Sequence, residues 1–427
     1  MTFGQNDAML VPPDRVTTRR KLLSRAALAG ASLVLPFGQA SGQTPRSSLN
    51  DGAVLAGSLR SSPEARLIAV YRAIAAGDRQ ALPLAAALVR DVPGFQLGQL
   101  VYGDLLMAQS GTLPSFATVT DGPPAVREQL QKLRAEATRR LGSLREMPPP
   151  GTVPEQVLEL ARNVRHVVVV DASHSRVYVF AQQSGGLQLI RSFYASIGRA
   201  GFDKEVEGDL RTPLGVYHIT SRLDDQQVEE LYGIGALPLN YPNEHDRRMG
   251  RTGGGIWLHG VPRVSYVRSP YATEGCVALA NDDMAYLMRE LEPRRTPVII
   301  ADEVTWVRPD TLSSHRAEFR ELLSRWTEAR SLGDRATIQA LSTRDFQADE
   351  GVQDRPLKTL VRAAAPTRQN RRIDLKEVSI FRWKRGTEVT VVNFAEVVAG
   401  ETRGLVKRQY WGKEQGRWKL FYDGVTG

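Results

Sequence analysis

Apolar positions in the first third of the chain recur at helical spacing. Leu67, Val70, Tyr71 and Ile74 share one face of a helix that Gly77-Asp78 ends, and Leu84 to Val89 and Leu97 to Ala108 continue as packed helices between short Gly/Pro interruptions. Gln129 to Arg145 reads as a charged helix, and Met147-Pro148-Pro149-Pro150-Gly151 as a linker. The period then changes. His166 to Asp171 is a buried strand, and Ser175 to Ala181 and Leu187 to Ile197 extend it into a β-meander around Gly185-Gly186. Ile256-Trp257-Leu258 and Val277-Ala278-Leu279 are two further short strands. Asn281 is placed to cap a helix whose first turn holds Asp282 and Asp283 and whose apolar face is Met284, Leu287, Met288 and Leu291. Arg295 to Ile300 closes this section. From His315 a new helical stripe begins (Phe319, Leu322, Leu323, Trp326, Ala329), ended by Gly333-Asp334. Strands follow at Val378 to Trp383, Val389 to Val398, Val406 to Trp411 and Trp418 to Tyr422, with hairpin turns at Lys384-Arg385-Gly386 and Glu414-Gln415-Gly416.

Length fits this three-part pattern: 427 residues with 42% apolar content are enough for two or three domains. A single cysteine excludes an internal disulfide and a cysteine-rich metal cluster. The formal charge is +9, of which +3 lies in residues 1–43. That segment reads as an export signal: Thr18-Arg19-Arg20-Lys21-Leu22-Leu23 is a twin-arginine pattern, Ala26 to Phe37 is modestly apolar, and Gly38-Gln39-Ala40 offers small residues for cleavage. The apolar run is too short for a stable membrane anchor. Residues 44–60 are Ser/Gly-rich. The positive charge left after processing suits an acidic surface such as a cell-wall polymer. It is too diffuse to argue for nucleic acid, and no motif that reads RNA or DNA is present.

The candidate chemistry is concentrated in Gly253 to Asn281. Cys276 is the only cysteine, and His259 lies seventeen positions before it. A cysteine nucleophile needs a base to form the thiolate, and it needs backbone N–H groups free to face a developing oxyanion. The sequence supplies both requirements, as His259-Gly260 at the end of one strand and Thr273-Glu274-Gly275-Cys276 in the turn before the next.

This stretch resembles the L,D-transpeptidase catalytic domain of YkuD type, marked by His-Gly followed about fifteen residues later by Ser/Thr-x-Gly-Cys. His259, Gly260, Thr273, Gly275 and Cys276 match that pattern, while Glu274 stands where many members carry histidine. Thr212-Pro213-Leu214-Gly215 matches a second motif of the same family and is expected to shape a cleft wall. The resemblance implies Cys276 as nucleophile, His259 as proton acceptor and donor, Gly275 and Cys276 N–H groups at the oxyanion, and the Gly260 carbonyl orienting the imidazole. It implies a murein stem peptide, cut between diaminopimelate and D-alanine, as substrate, with no cofactor and no metal. Thr273, Arg251 and Tyr241 are the expected substrate contacts, the last two within a polar, aromatic-rich insert from Tyr232 to Arg251 that reads as a lid. The C-terminal pattern, helices first and then an antiparallel sheet, resembles the cone-shaped nuclear-transport-factor-like fold. Family members joined to such a domain include L,D-carboxypeptidases that set cell shape.

The expected architecture is therefore multidomain α+β: a signal (1–43), a helical module and linker (44–150), a β-rich L,D-transpeptidase-like domain (160–305) and a cone-shaped α+β domain (312–427). The expected setting is the periplasm, reached by the twin-arginine route. Either transpeptidation, with an amine acceptor, or carboxypeptidase trimming, with water, fits the residues. A non-catalytic wall-binding scaffold is the alternative of another class. A homodimer through the helical module is compatible with the pattern.

Overall fold

The structure is a computed structural model and describes residues 62–111, 123–145, 147–349, 355–356 and 372–426. The signal and the Ser/Gly-rich stretch lie outside the described residues. Four helices come first: α1 (Pro63–Ala75), α2 (Ala81–Asp91), α3 (Gln96–Gln109) and α4 (Pro124–Arg145). Ser62 caps α1 by accepting from the Ala65 N–H, and Pro63 opens the helix, where its missing N–H costs nothing. Leu67 and Val70 of α1, Leu88 of α2, Val101 of α3 and Leu133 and Ala137 of α4 form the core of this module.

The chain then crosses in two short strands, β1 (Val153–Pro154) and β2 (Val157–Glu159), and enters the catalytic region. Its strands are β3 (His166–Asp171), β4 (Arg176–Gln183), β5 (Gly186–Gly198), β6 (Gly215–His218), β7 (Leu223–Asp224), β8 (Gly235–Pro238), β9 (Trp257–His259), β10 (Tyr271–Thr273), β11 (Val277–Leu279) and β12 (Pro297–Ala301). They form one sheet in the order β6-β12-β3-β4-β5-β11-β9-β8-β7, with β10 also on β5. Two helices accompany it, α5 (Glu244–Arg248) and α6 (Asn281–Glu290). Val167 to Val170 are all fully buried, which explains their unbroken apolar run.

After β13 (Trp306–Val307) come α7 (Ser313–Leu332) and α8 (Arg335–Leu341), then β14 (Ser342–Asp349), β15 (Arg355–Pro356), β16 (Ile373–Arg385), β17 (Thr387–Val398), β18 (Leu405–Glu414) and β19 (Arg417–Val425). Gly333, in the left-handed region at φ 68°, ends α7, and Asp334 caps α8. The second sheet runs β15-β14-β19-β18-β17-β16-β2. The strand β2, which comes before the catalytic region, thus completes the C-terminal sheet. β1 pairs β13 in the same way. Neither two- or three-residue strand shows an alternation, and the sequence reading passes over both.

The two faces of this second sheet have different partners. Ile380, Phe394 and Trp411 pack on Phe319 and Trp326 of α7, the expected helix-on-sheet arrangement. Phe381, Trp383, Tyr410 and Phe421 pack instead into the cluster that holds Val168, Val179 and Ile299 of the catalytic sheet. The chain is multidomain α+β, with one apolar core running between its two sheets.

Candidate active site

Strands β9 and β11 lie side by side and parallel, with Val277 opposite Leu258 and Ala278 opposite His259. This register sets His259 at the end of one strand and Cys276 at the entry to the next, two residues before His259's partner. Asn281 does not cap α6; Ala280 occupies the cap position and makes no side-chain cap bond. The Asn281 amide reaches back to Val261 instead, with Oδ1 accepting from its N–H (3.1 Å) and Nδ2 donating to its carbonyl (2.9 Å). It pins the chain just after His259-Gly260. A Cβ at Gly260 would stand 2.3 Å from that Oδ1, so only glycine fits there.

The His259 ring is buried, and its Nδ1 meets the Gly260 carbonyl at 2.5 Å. A carbonyl only accepts, so the proton sits on Nδ1 and Nε2 is left as the base. The edge of the ring faces Tyr232, with centroids 5.0 Å apart. Burial pushes the imidazole pKa down to about 4, against the raising effect of the Gly260 bond. The Cys276 thiol donates to the Gly255 carbonyl at 3.2 Å. Burial pushes its pKa up to about 11, opposed by a backbone hydrogen bond from Trp257 and by the charge of Arg268. At neutral pH the pair therefore rests as thiol and neutral imidazole, and the thiolate forms only when the proton is handed over. Iodoacetamide should accordingly alkylate Cys276 slowly at pH 7, with a rate rising about tenfold per pH unit until it levels near pH 11. A plateau already reached at pH 7 would show a preformed thiolate.

The turn between β10 and β11 is held by Thr273. Its buried hydroxyl donates to the Cys276 carbonyl (2.7 Å) and accepts from the Gly275 N–H (3.1 Å). The Gly275 N–H, expected at an oxyanion, is thus engaged within the turn in this structure, and Thr273, expected at the substrate, holds the Cys276 turn from beneath. Gly275 has φ 127°, and a Cβ on it would stand 2.7 Å from the Arg211 carbonyl. The Thr212-Pro213 segment thus abuts the Cys276 turn, and Thr212 accepts from the Gly198 N–H at 2.9 Å.

Residues 165–300 match the family model described as the L,D-transpeptidase catalytic domain, YkuD. This segment is a YkuD domain. No curated protein matches the sequence. Among solved structures, the chain is similar to Bd1075 of Bdellovibrio bacteriovorus (24% identity, TM-score 0.54, covering 64% of this chain and 98% of that one). It is also similar to the helical cell shape determining protein Pgp2 of Campylobacter jejuni (20% identity, TM-score 0.51, covering 63% and 95%). At these identities the likeness is one of fold. The domain match supports action on peptidoglycan.

Within the YkuD domain, Arg251 and Tyr241, the expected substrate contacts, are both engaged by partners of their own. Arg251 pairs with the buried Asp246 at 2.9 Å. The Tyr241 ring is buried edge-on to Tyr217, and its hydroxyl donates to the Thr252 carbonyl. The segment from Tyr232 to Arg251 is no loose lid either. It contains β8 and α5, Asn243 and Asp246 cap each other's backbone N–H groups, and Arg247 and Arg248 are held by Glu244 and Asp345. Its polar residues read as a mobile loop in sequence because their partners lie in other elements.

Two features of the site, Tyr232 and Arg268, escape the sequence reading. Tyr232 packs against Trp257 at a tilt and edge-on to His259. Arg268 donates to the Leu231 carbonyl at 3.1 Å and has no carboxylate partner among the described residues, while Arg199 and Arg251 each have one and Arg263 has two. Glu274, at the variable position of the motif, points outward and meets Arg199 at 3.0 Å, and its charge adds to the upward push on the Cys276 thiol. An arginine eight residues before Cys276 is the one signal that could have drawn attention to Arg268.

The helical module also reaches this site. Arg139 donates to the Tyr271 hydroxyl at 2.6 Å, Tyr266 donates its N–H to the Gly94 carbonyl, and Phe95 packs on the Tyr266 ring at 4.6 Å. The segment between the histidine and cysteine strands is thus braced by α4 and by the turn before α3.

Proposed function

We propose that this protein is a periplasmic, cysteine-dependent L,D-transpeptidase that acts on peptidoglycan stem peptides. The observation that carries this reading is the His259 imidazole, locked by the Gly260 carbonyl with Nε2 free, on the strand beside the Cys276 turn. His259 takes the thiol proton, and the thiolate attacks the carbonyl of the diaminopimelate L-centre. The Cys276 N–H supports the oxyanion. The imidazolium returns its proton to the departing D-alanine amine, leaving an acyl-enzyme on sulfur. An incoming amine then completes a cross-link. Arg268, cationic and without a carboxylate of its own beside the cleft, suits a carboxylate of the substrate. In this reading residues 1–43 are removed on export, and 44–150, 160–305 and 312–427 are the working parts.

The likeness of layout to a helical cell shape determining protein favours a second reading, in which water replaces the amine and the enzyme trims tetrapeptide to tripeptide. Incubation with disaccharide-tetrapeptide muropeptides, with products separated by mass, tests both. Dimers joined between two diaminopimelates, or exchange of the terminal D-amino acid, establish the transpeptidase. Release of D-alanine alone establishes the carboxypeptidase. No Cys276-dependent product from folded protein would overturn both readings and leave the scaffold.

A further inference from the structure

A cavity of about 280 Å³ lies between the edge of the catalytic sheet and the C-terminal sheet, lined by His218, Arg294, Arg295, Glu377, Asn393 and Arg408 among others. Neither Cys276 nor His259 borders it. Its polar groups form an ordered chain. Arg408 Nε donates to Asn393 Oδ1 at 2.8 Å, which fixes the orientation of that amide. Asn393 Nδ2 must then donate to His218 Nε2, 2.9 Å away. An imidazole that accepts at Nε2 carries its proton on Nδ1. That Nδ1 is buried and has no hydrogen-bond partner among the described residues. The burial of His218, reinforced by the Arg408 charge, holds its pKa well below the ordinary range, so the ring stays neutral in this tautomer.

Arg408 is only 7% exposed, yet no carboxylate among the described residues pairs with it. Lys407, next in sequence and on the other face of β18, has two: Glu396 at 3.1 Å and Asp423 at 3.6 Å. A buried guanidinium is ordinarily paired. Arg294 and Arg295 add positive charge at the exposed rim. Arg295 leans on Glu292 at 3.8 Å, and Glu377, the carboxylate in the wall, is held by the Asn163 amide. The wall thus offers donors and positive charge in excess of acceptors, at the junction of two domains, where small-ligand sites tend to form.

We infer that this cavity is a binding site for a small anion carrying carboxylate or phosphate oxygens, with Arg408 as its buried cation, His218 as a neutral N–H donor and Arg294 at its mouth. The volume lies just below the range of drug-sized pockets, which suits a ligand of a few heavy atoms. The site is independent of the peptidoglycan reading and needs no turnover to be seen.

The test titrates the purified protein with inorganic phosphate and, separately, with succinate, at ionic strength held constant with chloride. Calorimetry measures binding, and ¹⁵N spectra of the histidine rings report on His218. The expected result is saturable binding of at least one probe, a His218 spectrum of Nδ1–H type in the free protein, and movement of that signal on titration. Binding of phosphate alone assigns a phosphoryl ligand, and binding of succinate alone a carboxylate. Arg408→Gln should weaken binding at least about tenfold. Arg294→Glu, at an exposed position that leaves the fold intact, should weaken it as well. Absence of saturable binding to the wild-type protein, or binding unchanged in both variants, would overturn the inference.

Discussion

Cys276→Ala should lower muropeptide turnover at least about 10⁴-fold while leaving the thermal midpoint close to that of the wild type. The thiol is half-buried and its sulfur hydrogen bonds, to the Gly255 carbonyl and from the Trp257 backbone, are weak, so the fold loses little with it. His259→Gln should cost about 10²–10⁴-fold, because it removes the base and the acid together. The pH profile of kcat/KM separates this pair from one that rests as an ion pair. With the imidazole pushed down to about 4, the base is in its active neutral form above that pH and is lost only as pH falls through about 4. With the thiol at about 11, its proton is still in place across the neutral range. A broad plateau from about pH 5 to 10 is expected. An acid limb near the ordinary histidine value, in kcat/KM, would mean that the ring is charged more easily than its burial allows.

The largest effect on stability is expected from Arg140→Ala. Arg140 in α4 is 98% removed from solvent: its side chain is 2% exposed, its Nε meets Glu136 at 2.9 Å and its Nη1 meets Glu64 at 3.0 Å. The guanidinium also lies 3.9 Å over the Tyr194 ring of β5. Glu64 is shared with Arg176 of β4 at 2.7 Å, so one carboxylate of α1 joins the helical module to the catalytic sheet. Burial alone would raise the Glu64 pKa; the Arg176 and Arg140 charges overcome it and hold the carboxyl below its ordinary value. Glu136 remains above its ordinary value because burial outweighs Arg140. Removing Arg140 strands the buried Glu136 and leaves Glu64 to Arg176 alone, at a cost of about 3–5 kcal/mol. Urea denaturation monitored by Trp fluorescence should show it as a lower midpoint. Arg140→Met combined with Glu136→Leu should recover part of the loss, since an apolar replacement leaves one fewer buried charge. A single-variant cost below about 1 kcal/mol would show that apolar contacts around Phe95 and Leu133, and not this network, dock the module.

Much of this arrangement was legible from residue spacing. The Phe319 to Ala329 stripe, the Val167 to Val170 run and the His259-Gly260 and Gly275-Cys276 pairs each depend on local period or on glycine at a fixed offset. The structure places all of them where those signals direct. What failed depends on partners distant in sequence. Arg251, Tyr241 and Arg247 are polar residues in a Gly-rich stretch, and in sequence they cannot be told from a solvent-facing lid. Asp246, Thr252 and Glu244 make them structural. Asn281 carries the right residue type for a cap, but the Val261 backbone twenty residues earlier competes for its amide and wins. Arg408 and Lys407 are indistinguishable by type, and only the pleat of β18 separates a cation with two carboxylates from one with none among the described residues.

The small strand β2 has a consequence for how the protein comes into being. It pairs with β16, and the Ala161 N–H just beyond it is satisfied by the Ser379 hydroxyl, 218 residues further along. A growing chain exposes this edge, together with the apolar side of the catalytic sheet, until the last strands have been made. Closures over such separations are slow and leave sticky intermediates in the meantime. Synthesis from the N-terminus therefore cannot finish one domain and move to the next. Strands made much later close the seam that β2 left open.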